Sequence, residues 1–307
     1  MKLYFAPLEG ITTYVYRNTH AELFGGCDGY FAPFINPSDN ERISNKSIKD
    51  ILPENNSVPS LKVQVLTGNI GSFVRFADKL KAIGYDEVNL NFGCPSATVT
   101  NKGRGAGILR DVTAMDEFLA GASHCGLGLS VKTRAGYHSP KELDTLMTVY
   151  NKYKLTELIV HPRSREQFYS GTPDYTAFQH AVAMSENPVC YNGNIFHPSG
   201  YNAIVNRFPS IEGVMLGRGA VANPALFRQI RGGAKLTTAE LVQFVNVLAD
   251  NYNMVLKSDA NTMYKLKEIL MLIMWNFQDN KKLVKAIKKA NRLSDLLAVA
   301  DTMPELE

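Results

Sequence analysis

Eight short apolar runs alternate with amphipathic stretches as far as residue 216, and this alternation limits the choice of fold more than any other feature of the chain. The runs have the length and composition of buried strands, and the stretch at residues 72–83 carries apolar side chains at helical spacing. Eight strand and helix alternations predict an α/β fold, a (β/α)8 TIM barrel. The predicted strands are residues 3–6, 29–32, 61–66, 87–91, 127–133, 158–161, 188–191 and 213–216.

The alternation stops at Gly232-Gly233, and the chain from Thr238 onward shows helical patterns without strands. A capped helix start is predicted at Thr238. The sequence therefore predicts two domains, a TIM barrel at residues 1–235 and a small all-helical C-terminal domain at residues 236–307.

One segment of the helical part is strongly basic, since residues 281–292 contain six basic residues and no acidic one. Lys281, Lys285, Lys288 and Arg292 recur at helical spacing opposite apolar residues, which predicts a helix with one basic face. An ordinary solvated surface helix has the same pattern. The net charge of +4 permits a polyanionic partner without requiring one.

The four cysteines are widely separated, with no C-x-x-C pair and no histidine at metal-ligand spacing. Neither a zinc site nor a disulfide framework is predicted, and a reducing compartment fits best. The N-terminal apolar stretch is too short for a signal peptide, and no apolar run approaches the length of a membrane span. We therefore expect a cytoplasmic protein without a metal or a membrane contact.

Polar residues and glycines follow the predicted strands, at the ends that converge on one mouth of a barrel and carry its chemistry. The last two strands are followed by Asn192-Gly193-Asn194 and Gly217-Arg218-Gly219. Because barrels bind phosphate with the loops after strands seven and eight, we expect a phosphorylated ligand there, although either glycine pair alone is also typical of a simple turn. The other polar residues at strand ends are Glu9, Gln64, Asn91, Cys94, Lys132, Arg134, His161 and Arg163.

Cys94 lies in Asn91-Phe92-Gly93-Cys94-Pro95, directly after a predicted strand. Most free cysteines are small buried hydrophobic residues, but a thiol at the carboxyl end of a barrel strand is a candidate for catalysis. The glycine-rich stretch at residues 102–107 does not follow a strand, so it is not a dinucleotide-binding motif. We predict a flexible basic loop there, which would act as a lid beside Cys94.

Several motifs together resemble those of the flavin-dependent tRNA-dihydrouridine synthases, and they occur in the order found in that family. The chain departs from the family pattern at Thr13, Pro162 and Asn194, which leaves the target nucleotide open. The matching motifs are Ala6-Pro7-Leu8-Glu9-Gly10-Ile11-Thr12, Val63-Gln64, Asn91-x-Gly93-Cys94-Pro95, Lys132-Thr133-Arg134, His161-x-Arg163, Asn192-Gly193 and Gly217-Arg218.

The resemblance implies reduction of the 5,6 double bond of specific uridines in tRNA to 5,6-dihydrouridine. A hydride would pass from reduced FMN to carbon 6, a proton would pass from Cys94 to carbon 5, and NADPH would reduce the flavin again. Such a cysteine must stay protonated, as an ordinary thiol mostly is at neutral pH. Uridine in folded RNA has to leave its stack to be reached, and the basic face at Lys281, Lys285, Lys288 and Arg292 would bind phosphates.

The resemblance also implies roles for individual residues. A cation at Lys132 would stabilise the anionic reduced flavin. Asn91 and Arg134 would hold uracil, and Arg163 and Arg165 would reach the base or the RNA backbone. The residues expected to bind FMN are Pro7, Leu8, Glu9, Gln64, Lys132, His161, Asn192, Gly193, Asn194, Gly217 and Arg218.

Two other functions fit parts of the same pattern. One is an FMN-dependent oxidoreductase of a free small-molecule pyrimidine, similar to dihydroorotate dehydrogenase, which would need no basic helical tail. The other is a barrel that binds RNA or phosphate without catalysis, which would need no proton donor such as Cys94.

Overall fold

Eight parallel strands form a closed barrel in chain order in the computed structural model, which describes residues 1–37 and 44–306. Strand β1 pairs with both β2 and β8, and so closes the sheet. Each predicted strand run overlaps one observed strand, which confirms the predicted TIM barrel. The strands are β1 (Lys2–Phe5), β2 (Gly29–Phe31), β3 (Leu61–Val65), β4 (Glu87–Phe92), β5 (Gly128–Gly136), β6 (Glu157–Ser164), β7 (Val189–Asn192) and β8 (Gly213–Leu216).

Helices connect the strands and cover the outside of the barrel, so most strand residues are buried on both faces, as is usual for a parallel sheet. The first ten helices are α1 (Tyr14–Leu23), α2 (Asn45–Ile51), α3 (Ile70–Ala82), α4 (Ala97–Thr100), α5 (Val112–Ala122), α6 (Leu143–Tyr150), α7 (Tyr175–Met184), α8 (Pro198–Arg207), α9 (Arg218–Ala222) and α10 (Leu226–Ile230). Short 3-10 turns occupy Pro53–Asn55, Gly105–Arg110, Pro140–Glu142 and Met274–Asn276.

The chain after α10 is helical in the described residues, with α11 (Thr238–Leu256), α12 (Asp259–Ile273), α13 (Lys281–Lys289) and α14 (Leu293–Ala300). A capping box of Thr237 and Glu240 starts α11, which places the cap one residue before the predicted position. The helical part rests on the start of the barrel, where Tyr252 bonds Thr13 over 2.9 Å and Lys265 donates to the Gly10 carbonyl over 2.7 Å.

Helix α13 carries five lysines on its exposed side, while Ile287 on the other side is buried. The predicted basic helix is therefore present, but it ends at Lys289. Arg292 caps the next helix instead and pairs with Asp295 over 2.8 Å, so it does not continue the lysine row. None of the helices in the described part of the chain combines the length and the apolarity that a membrane crossing requires.

The prediction of a flexible loop at residues 102–107 is wrong for the second half of that segment. Gly105–Arg110 forms a 3-10 turn whose first residues are buried against Cys94 and Thr100. An added Cβ at Gly105, where φ is +55°, would lie 2.9 Å from the Cys94 Cβ. The glycines therefore allow close packing beside the cysteine.

Glu157, at the start of β6, is expected to destabilise the native protein above neutral pH. It is 3% exposed, one of its carboxylate oxygens has no hydrogen-bond partner, and burial raises its pKa to about 7 against the opposing effect of Lys62. In the unfolded chain the carboxyl ionises near its ordinary pKa of 4.5, so stability is complete below that pH and falls as the pH rises through 7. The loss is about 3 kcal/mol.

The variant Glu157→Gln keeps the shape of the side chain without the charge. Urea unfolding should show a free energy of unfolding higher than wild type by up to about 3 kcal/mol above pH 8, and a small change near pH 4.5. The exposed Glu186→Gln variant serves as the control, and its effect should not depend on pH in this way. An equal change for Glu157→Gln at both pH values would contradict the prediction.

Candidate active site

A cavity opens at the mouth of the barrel, where the carboxyl ends of the strands meet. It contains Cys94, Asn91, Arg134 and every residue that the sequence predicted for FMN, so the structure brings these residues together. Arg163 and Arg165 do not line it. The lining residues are Ala6, Pro7, Leu8, Glu9, Phe34, Gln64, Asn91, Gly93, Cys94, Pro95, Lys132, Arg134, His161, Tyr169, Asn192, Gly193, Asn194, Gly217 and Arg218.

Cys94 is held just beyond the end of β4 by hydrogen bonds to its own loop. The backbone amides of Gly93 and Cys94 donate to Asn91 Oδ1 over 3.0 and 2.8 Å, and the Cys94 carbonyl accepts from the Ala106 amide over 3.0 Å. Of the four cysteines, Cys94 alone is partly accessible, and the other three are buried. The backbone that carries the thiol is therefore fixed in position, and the thiol is open to a ligand in the cavity.

Asn91 forms more hydrogen bonds within the protein than its predicted role in holding uracil requires. Its oxygen accepts both amides of the cysteine loop, and its nitrogen donates to Gln64 Oε1 over 2.7 Å. One N–H of Asn91 is left for a ligand, which fits a carbonyl oxygen but not a donor.

Arg134 is 2% exposed and ties three neighbouring loops together. Its Nε donates to the Gly93 carbonyl over 2.9 Å, and its Nη1 donates to the Ser164 and Phe168 carbonyls over 3.0 and 2.7 Å. Burial lowers the pKa of Arg134 to about 10, so the group stays charged at neutral pH. Arg134 thus fixes the cysteine loop as well as lining the cavity.

Arg163 lies behind the cavity wall. It is fully buried, and its guanidinium donates to His161 Nε2 over 3.0 Å, to Asn194 Oδ1 over 3.3 Å and to carbonyls of the loop after β6. Arg165 is also turned away, with its Nη2 3.3 Å from Thr100 Oγ1. These contacts make Arg163 a support for His161 and Asn194, and its expected contact with the base or the RNA backbone stays a prediction.

His161 is neutral in this setting. A guanidinium can only donate, so the contact with Arg163 requires an unprotonated Nε2 and leaves the hydrogen on Nδ1. Burial, followed by the positive charge of Arg134, lowers the pKa of His161 well below its ordinary value. The ring can therefore donate from Nδ1 to a ligand without adding a charge.

The cavity has an excess of positive charge. Lys132, Arg134 and Arg218 line it, whereas Glu9 is the only acidic residue among the described residues that line it. Within the described residues, neither Lys132 nor Arg218 forms a salt bridge. Burial, followed by Arg134, lowers the pKa of Lys132 to about 8. A bound anion would relieve this unbalanced charge.

Tyr169 is a site residue that the sequence did not indicate. Its ring lies 4.3 Å from the Arg218 guanidinium and 5.5 Å from that of Arg134, in cation–π contact with both. Tyr169 directly follows Phe168 in the sequence, and the backbone of Phe168 has a φ of +53°, a value that few non-glycine residues adopt. A pair of aromatic residues seven positions beyond a strand-end histidine was the available signal.

The chain matches the family model described as dihydrouridine synthase (Dus) over residues 4–304. It is 26% identical over 242 residues to the tRNA-dihydrouridine(16) synthase of Cupriavidus necator, covering 75% of this chain and 74% of that protein. It is 25% identical over 314 residues to the protein of the same name from Neisseria meningitidis serogroup B, covering 97% and 94%. Among solved structures, morphinone reductase superposes with a TM-score of 0.55 at 11% identity, covering 76% and 86%, which shows a shared barrel fold.

Proposed function

Because this chain belongs to the dihydrouridine synthase family, we propose that it reduces the 5,6 double bond of specific uridines in tRNA to 5,6-dihydrouridine, with FMN as cofactor and NADPH as electron donor. The observation that carries this proposal is that the accessible Cys94 thiol lies in one cavity with Lys132 and Arg218, two cations that form no salt bridge within the described residues. The reaction needs a proton donor and a site for an anionic cofactor, and a cytoplasmic location fits the tRNA substrate.

The residues around the cavity fit FMN. Lys132 and Arg218 supply positive charge that no carboxylate of the described residues neutralises, and Gln64 keeps one N–H without a partner. When bound, FMN supplies the hydride that adds to carbon 6 of uracil. The residues that would hold it are Pro7, Leu8, Glu9, Gln64, Lys132, His161, Asn192, Gly193, Asn194, Gly217 and Arg218.

Cys94 would deliver the proton to carbon 5. Its loop is fixed by Asn91 and Arg134, so the thiol needs little rearrangement to meet a base in the cavity. The free N–H of Asn91 and the Nη2 group of Arg134 are donors, which suits the two carbonyl oxygens of uracil. We propose that Arg165 contacts the RNA backbone, since its side chain lies near the cysteine loop but outside the cavity.

The helical part would bind the RNA. We place the boundary between the catalytic barrel and this RNA-binding domain between residues 235 and 236, in the segment that joins α10 to α11. The exposed lysines of α13 would contact phosphates, which position the tRNA without reading its sequence. The target uridine would leave its stack to enter the cavity, at a cost of a few kcal/mol.

Mapping of dihydrouridine in total RNA tests the proposal. The strain to use lacks this gene and is complemented with wild type or with Cys94→Ala. Loss at one or a few tRNA positions, restored by wild type only, is the expected result. If no position changed and no other enzyme acted on the same sites, the RNA substrate would be excluded, and reduction of a small-molecule pyrimidine would be the better account.

The α13 lysines are expected to affect tRNA binding and not the chemical step. In a variant with Lys281, Lys285 and Lys288 changed to alanine, we expect the KM for tRNA to rise about tenfold or more at low salt, with kcat within about twofold of wild type. The dependence of log KM on log salt should also become shallower, by about 0.7 to 0.9 for each phosphate that the variant no longer binds. Steady-state kinetics over a range of salt concentrations measures both quantities.

A second triple variant separates this effect from a change in net charge. Lys49, Lys79 and Lys154 are also exposed and lie outside α13, so changing them to alanine removes the same charge elsewhere. An equal rise in KM for both triple variants would refute the assignment of tRNA contact to α13.

A further inference from the structure

A chain of side-chain hydrogen bonds runs down the inside of the barrel from the cysteine loop. At its upper end, the Gly93 and Cys94 amides donate to Asn91 Oδ1. Asn91 Nδ2 donates to Gln64 Oε1 over 2.7 Å, and Gln64 Nε2 donates to Asn89 Oδ1 over 2.7 Å. Gln64 and Asn91 line the mouth cavity, whereas Asn89 lies below it and is fully buried.

The lower half continues to the opposite end of the barrel. Asn89 Nδ2 donates to Ser130 Oγ over 2.9 Å, and Ser130 donates to Glu87 Oε1 over 2.7 Å. Both oxygens of Glu87 also accept from Lys62 over 2.9 Å. The strand register supports this half, because Gln64 lies beside Asn89 and Asn89 lies beside Ser130 in the sheet.

The direction of every bond in this chain is fixed at both ends. Backbone amides can only donate, and an ionised carboxylate can only accept. If the side-chain amide of Asn91 were reversed, its NH2 group would face the backbone N–H groups of Gly93 and Cys94, and donors would then face donors. If the Asn89 amide were reversed, its oxygen would face the Ser130 oxygen, whose hydrogen is directed to Glu87. Five side chains on β3, β4 and β5 therefore share one consistent orientation.

This orientation decides what the cavity offers a ligand. Both acceptor positions of Asn91 are occupied by the cysteine loop, so its remaining group is an N–H. Gln64 likewise keeps one N–H on Nε2. A free amide could rotate and offer an oxygen instead, which a flavin or uracil carbonyl would reject.

We propose that Asn89, Ser130 and Glu87 are positioning residues, which lock the Gln64 and Asn91 amides in the orientation that presents N–H groups to carbonyl oxygens of the bound cofactor and base. The inference rests on the proposed FMN site for its consequence, but the hydrogen-bond chain belongs to the protein alone. None of the three residues lines the cavity, so they act through Gln64 and Asn91. Such preorganisation favours binding because the amides need not be ordered by the ligand.

The variants Ser130→Thr and Ser130→Val test the proposal as a matched pair. Both add similar bulk at the same buried position, but only threonine keeps the hydroxyl that joins Asn89 to Glu87. Thr133→Val is the control on the same strand, since it removes an equally buried hydroxyl that takes no part in the hydrogen-bond chain. That hydroxyl accepts a hydrogen bond from Tyr150 and donates to the Arg134 carbonyl. If the bulk at residue 130 prevents folding, Ser130→Ala compared with wild type makes the same test.

Two readouts are needed. The first is hydrogen exchange of the Gln64 and Asn91 side-chain amides, measured by NMR in the protein without FMN. We expect exchange about tenfold faster in Ser130→Val than in Ser130→Thr, and no such difference between Thr133→Val and wild type. The second is the dissociation constant for FMN, from fluorescence titration, together with the absorption spectrum of bound FMN. We expect weaker binding by about tenfold and a shifted spectrum in Ser130→Val only.

Equal exchange rates in Ser130→Thr and Ser130→Val would overturn the inference, because the hydroxyl would then have no role in holding the amides. Faster exchange without a change in FMN affinity or spectrum would overturn it as well, since the orientation would not matter to the ligand. If wild type bound no FMN, the proposed function would fail by that result. The exchange rates would still decide whether the hydrogen-bond chain orders the side-chain amides of Gln64 and Asn91.

Discussion

Replacing Cys94 with alanine is expected to slow dihydrouridine formation by about 10²- to 10⁴-fold, the range that loss of a positioned general acid produces. The structure supports an effect of this size because the thiol is the only cysteine side chain in the cavity and its loop is held by Asn91 and by the Ala106 amide. The measurement is the single-turnover rate on a tRNA transcript that carries no dihydrouridine. Binding of FMN should be little changed, because the proton is needed by the base.

Two controls make this result specific. Cys125→Ala removes a thiol that is buried after α5 and away from the mouth, and it should leave the rate within about twofold of wild type. Cys94→Ser replaces the thiol with a hydroxyl of similar size, which is a far weaker acid than the thiol. The rate of this variant should therefore lie much closer to that of Cys94→Ala than to wild type. A Cys94→Ala enzyme with nearly normal turnover would assign the proton to another donor.

The strands and their polar ends could be predicted because each depends on local sequence. A parallel barrel strand is buried on both faces, so it appears as a short apolar run whatever its neighbours are. The chain direction then places Cys94, Lys132, His161 and Arg218 at the same end of the barrel. The joint presence of these residues in one cavity follows from the topology alone, without knowledge of any contact.

The role of Arg163 could not be predicted, because it depends on how a loop folds back. Its partners include the Ser170 and Gly171 carbonyls, which the backbone path after β6 brings behind the cavity wall. From sequence, an arginine two residues after a strand-end histidine is equally consistent with a ligand contact. The same loop places Tyr169 over Arg218, which explains why this residue was missed.

The 3-10 turn at Gly105–Arg110 was missed for a different reason. Glycine is common both in flexible loops and where two backbones approach closely, and sequence does not distinguish the two uses. Here the close approach applies, since a Cβ at Gly107 would lie 2.5 Å from the Thr100 carbonyl oxygen. The turn packs against the cysteine loop, and this contact between distant parts of the chain is tertiary information.

Lys132 links the electrostatics of the cavity to turnover. Burial and Arg134 lower its pKa to about 8, so in the protein without a bound anion the cation is present below that pH and is lost as the pH rises through it. An anion in the cavity favours the charged form and shifts this loss to higher pH. The positive charge is therefore available at neutral pH, where it would stabilise negative charge that develops next to it in the proposed reaction.

The variant Lys132→Met, which has similar bulk and no charge, is expected to lower kcat for dihydrouridine formation by about 10²- to 10³-fold at neutral pH. In wild type kcat should fall at a pH above 8, since the pKa of about 8 belongs to the protein without a bound anion, whereas in Lys132→Met kcat should lose that dependence because the titrating amine is gone. Lys102→Met makes the same change at an exposed position outside the cavity and should keep both the rate and the pH profile of wild type. If Lys132→Met lost activity but retained the decline above pH 8, another group would be titrating, and Lys132 would have only a binding role.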